Sequence, residues 1–146
     1  KSEKDKVSIE HIYPQTPTHS SWKSSFKGHK KSQLPFFQGT LGNLLPLSQS
    51  INSSLQNDCF DDKKKAKYNE KKEKIRQGYS DGSHSEIEVS GYEEWNSETI
   101  LDRGNKLLEF MEQRWDLKFE DETAKAELLF LDFMLEEEEL HTTTEE

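Results

Sequence analysis

A carboxylate and an imidazole stand side by side at Glu10-His11, and an asparagine, Asn52, follows further along the chain. Carboxylate and amide oxygens are hard ligands that suit Mg²⁺ or Mn²⁺ better than Zn²⁺. A histidine that reaches the same cavity can act as general base on a water molecule. One divalent ion with its waters, one carboxylate, one amide and one histidine base are sufficient for phosphodiester hydrolysis.

Each of these residues also has an ordinary structural explanation. An isolated Glu-His pair is usually a surface pair, Gly42-Asn43 is typical of a turn, and Asn52 near a helix start is typical of a cap. Neighbouring strand residues point to opposite faces unless the strand ends there, and Pro14 predicts an end close to His11. The order and spacing of the whole set are less common than any single part.

Two short strands and a short helix must position these side chains. The partly alternating segment 7–12 is predicted as a strand, and 41–47 is predicted as a second short strand that the chain enters through Gly42. Residues 49–55 are predicted as one or two helical turns with Ser48 as the N-cap. The sequence thus predicts two strands followed by a helix.

Two segments are predicted as loops. Residues 15–40 are polar and rich in turn residues, although their aromatic side chains indicate that parts of the loop pack. Trp22 is predicted in the core, with base stacking as the alternative. Residues 78–86 have the composition of a linker.

Three further helices are predicted. Residues 60–77 have aspartates in the first turn and lysines afterwards, which suits the helix dipole. Residues 97–115 have the clearest helical spacing of apolar residues. A last helix is predicted over 121–140, and its stretch 128–135 is apolar on nearly all sides, which requires burial or a partner.

The two halves of the chain carry opposite charge. Residues 1–79 have 15 Lys and Arg and 8 Asp and Glu, a net of +7, whereas residues 80–146 have a net of −16. A basic half is the electrostatic footprint expected for a polyanion. Lys63, Lys64 and Lys67 are candidate DNA contacts. A plain solvated helix explains these lysines equally well.

Several classes of protein are excluded. The single cysteine, Cys59, excludes a disulfide framework and a Cys-rich structural zinc site. No apolar run approaches the roughly 18–20 residues of a membrane span, and the first residues lack the apolar region of a signal peptide. We therefore expect a cytoplasmic protein that does not enter a membrane. The missing initiator methionine suggests a piece of a longer protein.

The runs IEHIYPQ (9–15) and LGNLLPLS (41–48), followed by Asn52, resemble the HNH (ββα-metal) nucleases. They most closely resemble the C-terminal HNH domain of GmrSD-type, modification-dependent restriction endonucleases. Weaker matches extend the resemblance to about residues 7–115, and these are Ser53, Ser54, Phe60, Lys63, Lys64, Trp95, Ile100, Arg103, Leu107 and Leu108.

The resemblance implies a role for each site residue. His11 is the general base that activates the attacking water. Glu10 and Asn52 hold the divalent metal, Mg²⁺ or Mn²⁺. Asn43 ties the loop between the strands and orients His11. The family's acidic ligand is commonly Asp in HNH enzymes, and Glu10 follows the GmrSD-type pattern.

We therefore predict an α+β fold, a mainly helical domain that contains a small ββα-metal core without structural zinc. Residues 1–118 form the nuclease domain, with the site in 7–57, and 119–146 form an acidic C-terminal helix and tail. The predicted function is metal-dependent cleavage of modified or foreign DNA. The resemblance implies that this is the effector end of a restriction or phage-defence protein, with recognition and regulation in an N-terminal domain. The alternative is a non-catalytic nucleic-acid-binding module that docks on a protein partner, or on a second copy, through 128–135.

Overall fold

The computed structural model describes residues 6–144 of the chain, with side chains described as far as Glu138. Within these residues the fold is α+β, with eight α-helices and two small antiparallel sheets. The strands are β1 (Val7–His11), β2 (Leu44–Ser48), β3 (Lys67–Tyr68) and β4 (Lys74–Arg76). The α-helices are α1 (Ser20–Ser25), α2 (Leu34–Gly39), α3 (Gln49–Leu55), α4 (Phe60–Lys64), α5 (His84–Ser90), α6 (Ser97–Trp115), α7 (Glu122–Leu128) and α8 (Asp132–Thr144).

The hairpin of β1 and β2 is followed at once by α3, as the sequence predicted. The two strands pair antiparallel, and the register runs from Val7 opposite Ser48 to His11 opposite Leu44. The Ser48 hydroxyl accepts a hydrogen bond from the backbone N–H of Ile51, which confirms the predicted N-cap. β2 and α3 are therefore contiguous in sequence, β1 lies before α1 and α2, and α3 packs against both strands.

One hydrophobic core joins the hairpin to the helices. The inner face of β2 contributes Leu45 and Leu47, and α6 contributes Ile100 and Leu108. Trp22 is 2% exposed and belongs to this core, as predicted. The described residues therefore include a continuous apolar interior that the hairpin shares with α6.

The turn that enters β2 packs directly on α6. Residues Leu41–Asn43 form a single 3-10 turn, and a Cβ atom at Gly42 would lie 2.8 Å from the backbone nitrogen of Gly104 and closer still to the Ile100 carbonyl oxygen. Arg103 donates hydrogen bonds to the carbonyl oxygens of Gly42 and Leu44. The prediction of α6 over 97–115 is confirmed, and this helix supports the start of β2.

The predicted helix over 60–77 is wrong. Only α4 is helical there, and it is followed by the small hairpin of β3 and β4. Arg76, at the end of β4, donates to the carbonyl oxygens of Asp62 and Lys65 and to the Asp58 carboxylate. These long-range bonds fold the segment back on α4, and they override the helix propensity of its lysines and glutamates.

The predicted loops contain short helices. Residues 15–40 include α1 and α2, and residues 78–86 include a 3-10 turn and the start of α5. Tyr79, in this second segment, is fully buried. Buried aromatic side chains hold both polar segments on the core, with Trp22, Phe26 and Phe37 in the first segment, as their aromatic content indicated, and Tyr79 in the second.

The C-terminal segment forms two helices where one was predicted. Phe130 adopts a left-handed backbone with φ of 61°, and this residue separates α7 from α8. The stretch 128–135 is divided, because Leu129 and Leu131 are buried in the chain's own core whereas Leu128 is half exposed. Residues 145–146 of the predicted tail lie outside the described residues. No helix in the described part of the chain is long and apolar enough to cross a membrane.

Candidate active site

Glu10 lies on the inner face of the hairpin and is only 2% exposed. Its Oε1 atom is 2.6 Å from the ammonium of Lys63, whereas its Oε2 atom is buried and has no hydrogen-bond partner among the described residues. Burial raises the pKa of Glu10, and the charge and hydrogen bond of Lys63 oppose this rise. Glu10 therefore has one oxygen held by an internal cation and one oxygen free to accept a ligand.

Lys63 is completely buried at the end of α4. Its Nζ atom donates to Glu10 Oε1 and to the carbonyl oxygens of His11 and Ile12, at 3.1 and 3.0 Å. The ammonium has three N–H groups, and these three acceptors use all of them. The sequence placed Lys63 among the DNA contacts, but the structure places it in the interior, against the segment that carries Glu10 and His11.

Asn52 lies on α3 and contacts β1. Its Nδ2 atom donates to the Ser8 hydroxyl at 2.7 Å. Ser8 and Glu10 are two residues apart on one strand, so their side chains leave the same face. The hydrogen bond orients the amide nitrogen toward Ser8, and the amide oxygen of Asn52 accepts no hydrogen bond from any residue that the structure describes. The structure therefore brings Asn52 to the Glu10 face of the hairpin.

His11 is the last residue of β1 and is half-buried. Because the pairing continues through His11 opposite Leu44, its side chain leaves the strand on the face opposite to Glu10. The imidazole makes no hydrogen bond within the described part of the chain. Burial, and secondly the charge of Lys63, lower the pKa of His11, and both effects favour the neutral ring, which can accept a proton.

Asn43 is fully buried where β1 and β2 converge. Its side-chain oxygen accepts from the backbone N–H of Tyr13 at 2.7 Å and from Trp95 Nε1 at 2.9 Å. Its side-chain nitrogen donates to the carbonyl oxygens of Tyr13 and Gln38. The backbone N–H of Ile12 also bonds to the Asn43 carbonyl oxygen. Asn43 thus fixes the two residues that follow His11.

Lys64 and Lys67, the other predicted DNA contacts, have partners within the chain. The Lys64 ammonium donates to the carbonyl oxygens of Tyr92 and Glu93. Lys67 donates to the Asp58 carboxylate at 2.6 Å, and its side chain is 44% exposed. Of the three predicted lysines, Lys67 is the most exposed.

Sequence reasoning missed the residues that support the site. Ser8, Arg76 and Asp58 belong to this group, because Ser8 orients Asn52 and the Arg76–Asp58 pair closes the segment around Lys63. Burial alone would raise the pKa of Asp58, but hydrogen bonds from Lys67 and Arg76 hold the pKa below its usual value. The sequence indicated Lys63 only as a weak match of the resemblance, three residues after Phe60, and this match did not indicate that the side chain is buried.

The residues present are suited to a divalent cation that takes only two of its ligands from the protein, Glu10 and Asn52. The buried, unpartnered Oε2 of Glu10 is an acceptor that a cation would satisfy. The amide oxygen of Asn52 on the same face is the second hard ligand. The described residues include no cluster of three or more His, Cys, Asp or Glu side chains suited to metal. Such a site leaves most coordination positions to water and substrate, as is usual for Mg²⁺.

The comparison with family models gave one match. The model for the C-terminal domain of GmrSD restriction endonucleases matches residues 1–110 of the 146-residue chain. Neither the curated proteins nor the solved structures gave a significant match. The matched region contains the hairpin, α3, α4 and most of α6. The chain therefore belongs to the family of GmrSD restriction endonuclease C-terminal domains.

Proposed function

We propose that this domain is a metal-dependent DNA endonuclease of the HNH type and the effector part of a restriction or phage-defence protein. The observation that carries the proposal is the buried Oε2 atom of Glu10, which lacks a partner on a strand–strand–helix unit that also presents Asn52. An unpartnered buried carboxylate oxygen is costly unless a cation or donor satisfies it. Membership of a restriction endonuclease family supports DNA as the substrate.

Each site residue has a separate task in this proposal. Glu10 and Asn52 would hold Mg²⁺ or Mn²⁺, with the Glu10 Oε2 atom and the Asn52 amide oxygen as the available ligands. A bound divalent cation supplies charge neutralisation at the scissile phosphate and at the departing 3′ oxygen. Asn43 does not touch the reacting atoms. It is a positioning residue, because it holds the backbone of Tyr13 and the N–H of Ile12 directly after the base.

His11 is the general base in this proposal. Because its side chain leaves β1 on the face opposite to Glu10, the proposal requires the phosphate and the attacking water to lie across the end of β1, where both faces can be reached. The imidazole takes a proton from a water molecule while the water oxygen bonds to phosphorus and the bond from phosphorus to the 3′ oxygen breaks. The leaving 3′ oxygen then acquires a proton from solvent. Burial and the Lys63 charge lower the pKa of His11, which favours the unprotonated imidazole that a base requires and also makes it a weaker base.

The DNA contacts require exposed cations. We do not include Lys63, because its three N–H groups are already donated inside the chain. Lys64 and Lys67 remain proposed contacts, and each would exchange a partner in the chain for a phosphate. We also propose that an N-terminal domain supplies recognition of modified or foreign DNA.

Nicking of supercoiled plasmid tests the proposal. We expect Mg²⁺- or Mn²⁺-dependent nicking by the wild-type domain and at least a hundredfold lower rate for His11→Ala, because general-base catalysis contributes about 10²–10⁴-fold. His84→Ala is the matched control, since His84 is an exposed histidine whose side chain has no partner among the described residues. Thermal unfolding of all three proteins verifies equal folding.

Equal nicking by wild type and His11→Ala would contradict the assignment of His11. Metal-dependent binding of DNA without cleavage, in the domain and in the full-length protein, would favour the non-catalytic binding module. Salt dependence of DNA binding does not separate the two functions, because both rely on phosphate contacts.

A further inference from the structure

We propose that Lys63 is the resident counter-cation of the candidate metal centre, a positioning residue that neutralises Glu10 without metal and weakens metal binding. This inference rests on the proposed function of Glu10 as a metal ligand. It assigns to Lys63 a task inside the protein, whereas the sequence had suggested a contact with DNA.

The hydrogen bonds of Lys63 fix the orientation of the Glu10 carboxylate. The Lys63 ammonium is fully buried and donates to Glu10 Oε1 and to the carbonyl oxygens of His11 and Ile12. The Lys63 side chain thus binds three consecutive residues, the last two of β1 and the residue that follows them. Because Oε1 is fixed by this contact, the orientation of the Glu10 carboxylate is fixed, and only Oε2 is available to a second cation.

The charge of Lys63 neutralises the buried carboxylate of Glu10. A carboxylate that is 2% exposed is costly without a counter-charge, and removing one partner of a buried ion pair costs about 3–5 kcal/mol. Lys63 satisfies this requirement when no metal is bound. The domain can therefore fold before it binds a metal ion, unlike a centre whose acidic ligands depend on the metal for neutralisation.

The Lys63 ammonium and a metal ion at Glu10 would repel each other. A divalent ion at Oε2 would stand near an ammonium that already neutralises the same carboxylate, and like charges repel strongly when they are buried. The wild-type centre is then expected to bind free metal weakly. Removal of the Lys63 charge leaves Glu10 uncompensated, so the neutral variants should gain more from metal than the wild type gains.

Thermal unfolding of the full chain in EDTA and across a Mn²⁺ titration tests this inference without an activity readout. Lys63→Gln and Lys63→Met both remove the charge, and Lys63→Gln keeps a donor for the nearby carbonyl oxygens. We expect both variants to unfold at lower temperature in EDTA. We expect Mn²⁺ to raise their Tm more than it raises the wild-type Tm, with an apparent Mn²⁺ Kd about tenfold lower, because a buried charge that repels the ion has been removed. Lys63→Arg keeps the charge and should retain the wild-type Mn²⁺ response.

Lys65→Gln is the matched control. Lys65 follows α4 directly, its side chain is exposed, and its ammonium has no partner among the described residues. This variant loses the same charge at nearly the same place in the chain. It should behave as wild type in EDTA and in Mn²⁺.

Equal Mn²⁺ responses in the wild type and the two neutral variants would overturn the inference. Neutral variants that stay unfolded in saturating Mn²⁺ would also overturn it, because the metal then does not replace the lost charge. Glu10→Gln separates this result from the proposed function. If the Mn²⁺ response survives in Glu10→Gln, the metal does not bind at Glu10 and the proposed centre itself fails.

Discussion

Buried polar side chains with nearly complete hydrogen bonding hold the candidate site at the residue scale. Asn43 uses both its oxygen and its nitrogen twice, and Lys63 uses all three of its N–H groups. Such groups are costly to bury unless they are satisfied, and they define a single geometry once they are. Glu10 departs from this pattern, since its Oε2 atom has no partner among the described residues, as is also true of Arg76 Nε. The Glu10 oxygen is an acceptor on the face that also presents Asn52, and a cation ligand is therefore proposed there.

His11 provides a prediction about pH. Burial, and secondly the Lys63 charge, lower the pKa of its imidazole. The neutral ring is therefore favoured in the folded protein, and lowering the pH through the folded pKa protonates the proposed base. An NMR titration of the metal-free protein in EDTA should place the His11 midpoint below the ordinary value of about 6.5. His11→Gln assigns the signal.

The same protein unfolded in urea is the reference for this titration. Because the folded pKa lies below the unfolded pKa, the contribution of His11 to folding stability is present at high pH. It is lost as the pH falls below the unfolded value. A folded midpoint at or above the unfolded midpoint would contradict the prediction.

The residues proposed for the site can be named from the sequence, and their roles stay predictions, but their surroundings were not predictable. The motif predicted Glu10, His11, Asn43 and Asn52, and the structure places Asn52 on the Glu10 face of β1. The burial of Lys63 was not predictable, because a lysine in a run of lysines is usually exposed. Its partner Glu10 is 53 residues away in the sequence, and no local pattern reports such a contact.

At the scale of elements, the spacing of apolar residues and the capping residues predicted the helices and strands that local interactions stabilise. α3 begins at its predicted cap, and the capping box at Asn96 and Thr99 begins α6 at the predicted place. The second predicted strand, 41–47, is a strand only from Leu44, because residues 41–43 form the 3-10 turn that packs on α6. The helix prediction for 60–77 was wrong because Arg76 donates hydrogen bonds to backbone oxygens of α4 and of the residue that follows it. Helix propensity is a weak preference that such tertiary contacts override.

Gly42 provides a prediction at this scale. A Cβ atom there would overlap the backbone of α6 at Ile100 and Gly104, so Gly42→Ala must push the 3-10 turn away from α6. We expect a loss of about 3 kcal/mol or more in the free energy of unfolding, since overpacking against backbone relaxes poorly. Urea unfolding followed by circular dichroism measures the loss.

Gly39→Ala is the control for Gly42→Ala. Gly39 ends α2 in the same region, and a Cβ atom there meets nothing within 4 Å. Its substitution should change the stability little. Similar losses in the two variants would show that the close approach of Gly42 to α6 is not what limits this turn.

At the scale of the whole molecule, α6 connects the hairpin to the C-terminal helices. One face carries Arg103, which binds the carbonyl oxygens of the turn and of β2. Another part, at Gly104, lies against the side chain of Leu129. The Thr40 hydroxyl donates to the Leu129 carbonyl oxygen at 2.7 Å. The sequence-based domain boundary at residue 118 stays a prediction, although core contacts continue past it.

Two neighbouring leucines test how firmly the C-terminal helices are attached. Leu129 is 2% exposed and Leu128 is 52% exposed. We expect Leu129→Ala to lower the free energy of unfolding by about 2–5 kcal/mol, because it removes buried apolar volume, and Leu128→Ala to change it by much less. Urea unfolding of both variants measures the difference. Equally small effects would mean that α7 and α8 contribute little to the fold.

The contacts of Asn43 also determine when the site can first form. Its side chain joins Tyr13, 30 residues earlier, to Trp95, 52 residues later. Contacts of such sequence separation close late in folding, because their loop entropy must be overcome first. A growing chain cannot complete this arrangement until Trp95 has been synthesised and has folded back. On the proposed function, the cell therefore meets an active nuclease only after nearly the whole matched region has been made and folded.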